Sequence, residues 1–285
     1  MSPSPVAPRR FRTGALRAAV LVSTALITTG CSTRDLYENG LSLGFPDPVT
    51  EEAKEIYDLW LGSVAAATVV GLSVAVMIVY ACVRFRKTSD QLPRQVRYNL
   101  PIEVLYTAIP FVIIAVLFYF TAVTQNFVNE QDEDGADVTI GVVGFQWNWT
   151  FRHEQQGVQV TGQPGQPAQL VLPTDTRIRF VETSPDVIHS FWVPKFLFKR
   201  DVIPGRENSF EITITKEGTY IGRCAELCGE KHSAMNFSVK AVSAQAYEDY
   251  VADLERDPAN KILGPPAGAV RTAEEAAEQI DGRPE

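Results

Sequence analysis

One short stretch near the end of the chain, Cys224-Ala225-Glu226-Leu227-Cys228-Gly229-Glu230-Lys231-His232-Ser233-Ala234-Met235, holds two thiols, an imidazole and a thioether. Donors this soft at this density suit copper. His189, within Asp186-Val187-Ile188-His189-Ser190, lies beyond the apolar strand pattern Arg177–Val181, where a loop could deliver it to the same end of a fold. Three other readings stand beside copper. A disulfide between Cys224 and Cys228 accounts equally well for the thiols of an exported chain, but leaves His189, His232 and Met235 without a role. Structural zinc takes two cysteines and two histidines, yet has no use for a thioether, and C-x-x-x-C-x-x-x-H-x-x-M is not an ordinary finger spacing. Met235 can also be plain core filling, in a chain with three methionines.

Such a set needs a rigid frame, and the remaining sequence offers two kinds of element. Leu61–Val83 and Val104–Val128 carry no charged residue, and each is long enough to cross about 30 Å of hydrocarbon. This excludes a purely soluble protein and predicts a transmembrane hairpin over 59–128, with spans at about 61–83 and 104–126. The loop 84–103 carries Arg84, Arg86, Lys87, Arg94 and Arg97 against Asp90 and, at its very end, Glu103, an excess that stays cytoplasmic and leaves both flanks outside. Two helices enclose no aqueous path, so they anchor an outer domain or pack on a larger membrane partner. Ahead of them, Ala18–Gly30 follows Arg9, Arg10, Arg12 and Arg17 and reads as a signal peptide over 1–30. Its end, Thr28-Thr29-Gly30-Cys31, resembles a lipoprotein cleavage site at which Cys31 would be lipidated; ordinary cleavage or an uncleaved anchor are the alternatives. Residues 31–58 form an extracytoplasmic lead-in.

From about Asp137 the pattern alternates. Val138–Phe145, Gln169–Leu172, Arg177–Val181, Phe210–Thr215, Thr219–Gly222 and Asn236–Val242 read as half-buried strands between Pro/Gly turns, which predicts a β-sandwich or barrel over 129–245. Ala244–Arg256 reads as a polar helix and the segment beyond as a mobile tail, together closing the chain over 246–285. With 26 basic against 34 acidic residues, nucleic-acid binding is disfavoured; residues 125–285 alone hold 25 acids and 15 bases, about −10, which favours a basic partner. Cys82 reads as an inert packed thiol and His153 as a surface residue.

The two-span hairpin, Gly144-Phe145-Gln146-Trp147-Asn148-Trp149, Ser184-Pro185-Asp186-Val187-Ile188-His189-Ser190-Phe191, Asp201-Val202-Ile203-Pro204-Gly205-Arg206 and the cysteine segment together resemble subunit II of haem-copper cytochrome c oxidases. The resemblance covers nearly the whole mature chain. It implies a membrane-anchored α+β protein, a two-helix hairpin followed by an all-β cupredoxin-type Greek-key sandwich with a binuclear copper centre, CuA. Cys224 and Cys228 would bridge both coppers, His189 and Met235 completing one and His232 and the Glu226 backbone carbonyl the other. Electrons would arrive from a c-type cytochrome or bc complex and leave for haem in subunit I, where oxygen is reduced to water and protons are pumped.

By the same resemblance Trp147 would be the electron-entry tryptophan, where the residue alone reads as an ordinary strand aromatic, and Phe145 and Asn148 stand where the family has His and an aromatic. Asp186 and Glu130–Asp137 are docking candidates, with plain solvated charge as the equal alternative, and by the resemblance the Glu226 side chain would reach a magnesium at the subunit I boundary. Glu103 would open a proton path, though a carboxylate in a helix's first turn is also what the helix dipole favours. The implied partners are subunit I, the other oxidase subunits, the electron donor and membrane lipid. The lipoprotein-like start is similar to actinobacterial oxidases, which adds a supercomplex with the donor to the expectation. The expected location is the bacterial plasma membrane, multi-pass, with the copper domain outside. The rivals are a quinol oxidase subunit, which would lack the copper ligands, a membrane-tethered copper chaperone, which would need no entry tryptophan, and a disulfide-stapled scaffold.

Overall fold

The computed structural model describes residues 44–262 except 93, 94, 133, 134 and 164. The signal segment, Cys31 and the tail from 263 onward lie outside the described residues.

Both apolar runs fold as helices longer than the runs themselves. Helix α1 spans Glu51–Arg84, 34 residues, and starts well ahead of the uncharged run that opens at Leu61. Thr50 caps it, its hydroxyl accepting from Ala53 N at 2.9 Å, with Glu51 and Glu52 in the first turn where the helix dipole favours acids. Helix α2 spans Leu100–Val128 behind the N-cap Asn99, with Pro101 in its first turn. The middle of each helix turns large apolar side chains outward, among them Val69, Val76, Phe111 and Phe118. A surface of this kind belongs against lipid or another membrane subunit. Cys82 sits on that outward surface, exposed, and is not packed within the chain as expected.

The outer part is a two-sheet sandwich. Its strands are β1 (Val138–Phe145), β2 (Asn148–His153), β3 (Val158–Thr161), β4 (Gln169–Pro173), β5 (Arg177–Thr183), β6 (His189–Val193), β7 (Phe198–Val202), β8 (Asn208–Thr213), β9 (Gly218–Cys224) and β10 (Asn236–Val242). One sheet runs β3-β2-β1-β5-β8 and the other β4-β10-β9-β6-β7. The β1–β5 and β4–β10 pairs are parallel and the rest antiparallel. Between the sheets lies an aromatic core of Trp149, Phe151, Phe180, Phe191, Phe210 and Phe237. Phe180 stacks on Phe210 at 4.7 Å within the first sheet, and Phe191 on Phe237 at 4.8 Å within the second. Truncating any one of these to Ala would cost about 3–5 kcal/mol.

Helix α1 is fastened to this sandwich at its outer end. The Glu52 carboxylate accepts from Thr213 N at 3.1 Å, Thr50 pairs with Ile214, and Ala53 is fully buried. This contact ends strand β8 at Thr213, whereas alternation alone carries the strand to Thr215. On the outer face of the first sheet, buried Glu211 takes Arg177 Nε and Arg179 Nη2, the latter at 2.6 Å. The two guanidiniums reach on to the carbonyls of Glu130 and Asp132, so the acidic segment leaving α2 is held by its backbone. Glu182, on the inner face of β5, is fully buried with neither carboxyl oxygen hydrogen-bonded among the described residues. Burial holds this carboxyl well above the usual range.

Helix α3 (Ala244–Arg256) begins at the cap Ser243 and packs Tyr247 and Val251 against the sandwich. The chain beyond it does not leave at once. Pro258–Asn260 form a helical turn, Lys261 pairs with Val158, and Ile262 N donates to Gly157 O at 3.0 Å, extending the β3 edge where a mobile tail was expected.

Under α3 lies a second correction. His153 is completely buried, its Nδ1 3.0 Å from the Tyr247 hydroxyl and its ring edge-on to Tyr250. Burial drives its pKa down to about 4 from the ordinary 6.5. The unfolded chain therefore binds the proton more readily than the fold does between those values. The contribution of His153 to stability is complete above pH 6.5 and drains as pH falls toward about 4, by roughly 3 kcal/mol over the window, while the raised carboxyl of Glu182 works in the opposite sense. Thermal unfolding of the full chain and of His153→Gln in detergent, followed by tryptophan fluorescence from pH 7.5 to 4, should therefore show the gap between the two narrowing as pH falls, from a variant that starts less stable.

Candidate metal centre

Strand register brings the two distant stretches together. His189 is the first residue of β6, not a loop residue as expected, and Cys224 is the last of β9; the two strands are neighbours, with Phe191 opposite Cys224. The 225–235 segment closes on itself at this end of the sandwich. Ala225 N donates to Ser190 O and Cys224 N to Met235 O, each at 3.0 Å, while His232–Ala234 make one tight helical turn that returns Met235 to the core. The fully buried Trp149 backs the site, edge-on to the His189 ring at 6.1 Å. Gly144 opposite leaves room for both rings, since a Cβ there would come within 3.1 Å of Trp149 and 3.2 Å of His189.

The five expected side chains and the expected carbonyl converge. The Cys224 and Cys228 sulfurs are 3.8 Å apart, too far for a disulfide bond of about 2.05 Å, and both cysteines are free. Around Cys224 Sγ lie His189 Nδ1 at 3.9 Å and the Glu226 carbonyl at 3.2 Å. Around Cys228 Sγ lie His232 Nδ1 at 3.6 Å and Met235 Sδ at 3.7 Å. His189, Cys224, Cys228 and Met235 are buried, whereas His232 is half-exposed. The Glu226 side chain turns away, accepting from Leu227 N at 3.3 Å.

The electrostatics divide the two thiols. Burial pushes Cys224 up, but its hydrogen bonds with His189 and with the backbone of Glu226 and Ser190 outweigh it and bring its pKa down. Cys228 is raised by burial and then by the Cys224 thiolate beside it. The pair gives up one proton easily and the second only against repulsion, which a soft cation between the sulfurs relieves. A single tetrahedral zinc has no place for six donors. Two thiolates shared between two copper ions fit both the number of donors and their softness.

Second to these residues stands Asp186, whose Oδ1 is 2.9 Å from His189 Nε2 and also accepts from Val187 N at 2.6 Å. Its Oδ2 accepts from Gln146 N at 2.7 Å. Burial raises the Asp186 pKa, and these bonds overcome that and lower it; His189 is lowered by burial and raised beyond that by its contacts with Cys224 and Asp186. The Asp186 carboxylate, though part of it stays exposed, thus orients the imidazole. The Ser-x-Asp spacing ahead of His189 is the signal that could have revealed it. Gln146 and Gly229 were also missed. Gly229 has φ +121°, and a Cβ there would meet Gln146 Nε2 and Trp147 Nε1, each at 3.2 Å. Without it, both side chains reach the Cys228 carbonyl, Gln146 at 2.8 Å and Trp147 at 3.1 Å. Glu103 lies far along the chain in α2, its carboxylate accepting from Asn99 N at 2.9 Å as a local cap.

A family model described as the cytochrome C oxidase subunit II transmembrane domain matches residues 39–122, and one for the periplasmic domain of the same subunit matches 165–242. A probable cytochrome c oxidase subunit 2 of Streptomyces coelicolor is 42% identical, over 94% of this chain and 93% of that protein. The chain belongs to the cytochrome c oxidase subunit II family. The subunit 2 of Mycobacterium tuberculosis is 35% identical over 82% of this chain and 80% of its own length. Among solved structures, the periplasmic domain of subunit II of cytochrome oxidase of Bradyrhizobium japonicum aligns at 33% identity over 42% of this chain and 95% of that one, with a TM-score of 0.40. Membership makes the chain a membrane-anchored component of an oxidoreductase, in a family whose role is electron entry into the oxidase.

The Asp186 contact yields a test of how the site is held. Asp186→Asn should weaken metal binding by roughly 10–100-fold in chelator competition, with the near-ultraviolet circular dichroism of the sandwich unchanged. Unaltered affinity would mean that His189 is oriented by its strand alone.

Proposed function

We propose that Cys224, Cys228, His189, His232, Met235 and the Glu226 carbonyl hold the binuclear CuA centre, and that through it the chain accepts electrons from a c-type cytochrome and passes them to haem in subunit I for proton-pumping reduction of oxygen. The observation that carries this reading is the arrangement around the two buried sulfurs. If His189 and Met235 serve one copper and His232 and the Glu226 carbonyl the other, each sulfur has one donor of each copper beside it, as a bridging thiolate requires. When bound, the copper pair supplies a store for one electron shared across two thiolates.

The chain's own part is to hold these donors still and dry. The ligands sit at the ends of paired strands and in a loop tied at both ends by backbone bonds, so little moves when charge changes. Trp147 is the entry point in this reading. Its indole N–H donates to the carbonyl of Cys228, which joins an aromatic ring at the surface to a ligand residue through one hydrogen bond. The route onward leaves by the half-exposed His232 and by Glu226, whose side chain would take a magnesium against subunit I. The exposed Leu227 beside them supports a covered face. Glu103 is offered as the acid at a proton-path entrance, with its cap on Asn99 as the competing role. The site lies on the extracytoplasmic side of a bacterial plasma membrane, with both helices as spans and Cys31 lipidated.

Copper reconstitution of the full chain in detergent should give an electron spin resonance signal of seven hyperfine lines, the mark of one electron on two equivalent coppers. Cys228→Ser should abolish it, and a four-line signal from the unaltered chain would overturn the assignment. Trp147→Phe in the assembled oxidase should keep the seven lines and slow reduction by the cytochrome. Glu103→Gln should lower turnover and pumping if the proton role is real; unchanged values would leave Glu103 as a cap alone.

A further inference from the structure

Strand β8 lies at the edge of its sheet, and its outward-facing residues are Ser209, Glu211 and Thr213, since Phe210 and Ile212 face the core. Each of the three is tied to a membrane helix or to the chain leaving one. At Thr213 the tie is to α1, the backbone N–H donating to the Glu52 carboxylate at 3.1 Å. At Ser209 and Glu211 it is to the segment that leaves α2. Gln131 Nε2 donates to Ser209 O and the Ser209 hydroxyl donates back to Gln131 Oε1, each at 3.1 Å. Asp132 N donates to Glu211 Oε2, also at 3.1 Å. One strand thus holds both spans, at points up to about 13 Å apart along it.

The ties are unequal. Gln131 is exposed, and its neutral bonds to Ser209 compete with water. Glu211 is fully buried and takes Arg177 Nε on one carboxyl oxygen and Arg179 Nε on the other, the latter at 2.7 Å. Each guanidinium then continues to a carbonyl of the α2 exit, Arg177 to Glu130 at 3.1 Å and Arg179 to Asp132 at 2.7 Å. A buried carboxylate between two guanidiniums is hard to replace, because removing its charge leaves two cations facing a place shaped for an anion. The proposed copper donors lie elsewhere. His189 and Cys224 belong to β6 and β9 of the other sheet, with the aromatic core between them and the outer face that carries Glu211.

A body joined to its base at one place can tilt about that place, and a second joint removes the freedom. Resting on the reading that electrons reach the copper pair and go on to haem in subunit I, we propose that Glu211 is a positioning residue for that onward step. It pins the exit of α2 to the strand that already holds α1, and so fixes the tilt of the sandwich over both spans. A soluble donor can follow a tilting sandwich. A haem fixed inside a membrane subunit cannot, so loosening Glu211 should spare the entry of electrons and slow their exit.

The test uses the assembled oxidase with Glu211→Gln, which keeps the size of the side chain and removes its charge, and with the milder Arg179→Gln in case the first fails to assemble. Three quantities are read: hydrogen exchange at the Asp132 amide, the rate at which a soluble c-type cytochrome reduces the copper, and the rate of the following transfer to haem. In both variants exchange at Asp132 should rise and copper reduction should be unchanged. Transfer to haem should slow by about ten-fold in Glu211→Gln, inside the roughly hundred-fold that about 1 Å of misplacement can cost a positioned reaction, and by less in Arg179→Gln. Unchanged exchange, or faster exchange with an unchanged onward rate, overturns the proposal. So does an equal slowing of both steps or loss of the seven-line copper signal in the variants, since either means damage at the donors and not a tilt. If the unaltered oxidase lacks that signal, or its haem is reduced ahead of its copper, the reading beneath fails instead.

Discussion

Two sulfur atoms 3.8 Å apart in a buried loop set the terms for everything around them. Both cannot carry negative charge in a low-dielectric pocket without positive charge close by, and both are needed as thiolates to hold a soft metal. The surrounding residues answer that demand in stages. Imidazoles face each sulfur, Asp186 steadies one imidazole, and a glycine with a backbone conformation closed to other residues lets Gln146 and Trp147 reach the carbonyl of Cys228. Each contact is ordinary alone. Together they leave the sulfurs no partner as good as a metal.

The sandwich is what makes that loop stiff. β6 and β9 lie side by side, so residues 35 apart in sequence become neighbours through backbone bonds alone. The aromatic core continues directly into the site through Trp149, which touches Phe151, Phe191 and Phe237 on one side and His189 on the other. A volume change in the core would therefore be felt at a ligand, since packed interiors pass strain on rather than absorb it.

How legible this was in the sequence depended on whether a signal was local. The bounds of β1 and β10 and of the polar helix α3 coincide with the patterns read from Val138–Phe145, Asn236–Val242 and Ala244–Arg256, because those segments alternate or repeat cleanly. β6, His-Ser-Phe-Trp-Val, is buried along most of its length and so shows no alternation, and β7, Phe-Lys-Arg-Asp-Val, reads as loop because three of its five residues are charged. β2 and β3 were lost for similar reasons, one flanked by tryptophans on a polar turn and the other only 4 residues long. The cysteine segment was easy to find because its donors are packed into one stretch. The orienting role of Asp186 and the burial of His153 were not, since a polar residue is assigned to the surface by default and only the fold shows what covers it.

The outer end of α1 has a mechanical meaning. At about 1.5 Å per residue the helix is about 51 Å long, against about 30 Å of hydrocarbon, and it continues without a break into the contacts made by Thr50, Glu52 and Ala53. A flexible tether would let the outer domain sway over the bilayer. A rigid mast welded to the head instead fixes its height and its compass bearing, so that one residue inserted between Trp60 and Glu52 would turn the head by about 100° and lift it by about 1.5 Å. Tunnelling distances to anything embedded below are thereby written into the length of a single helix.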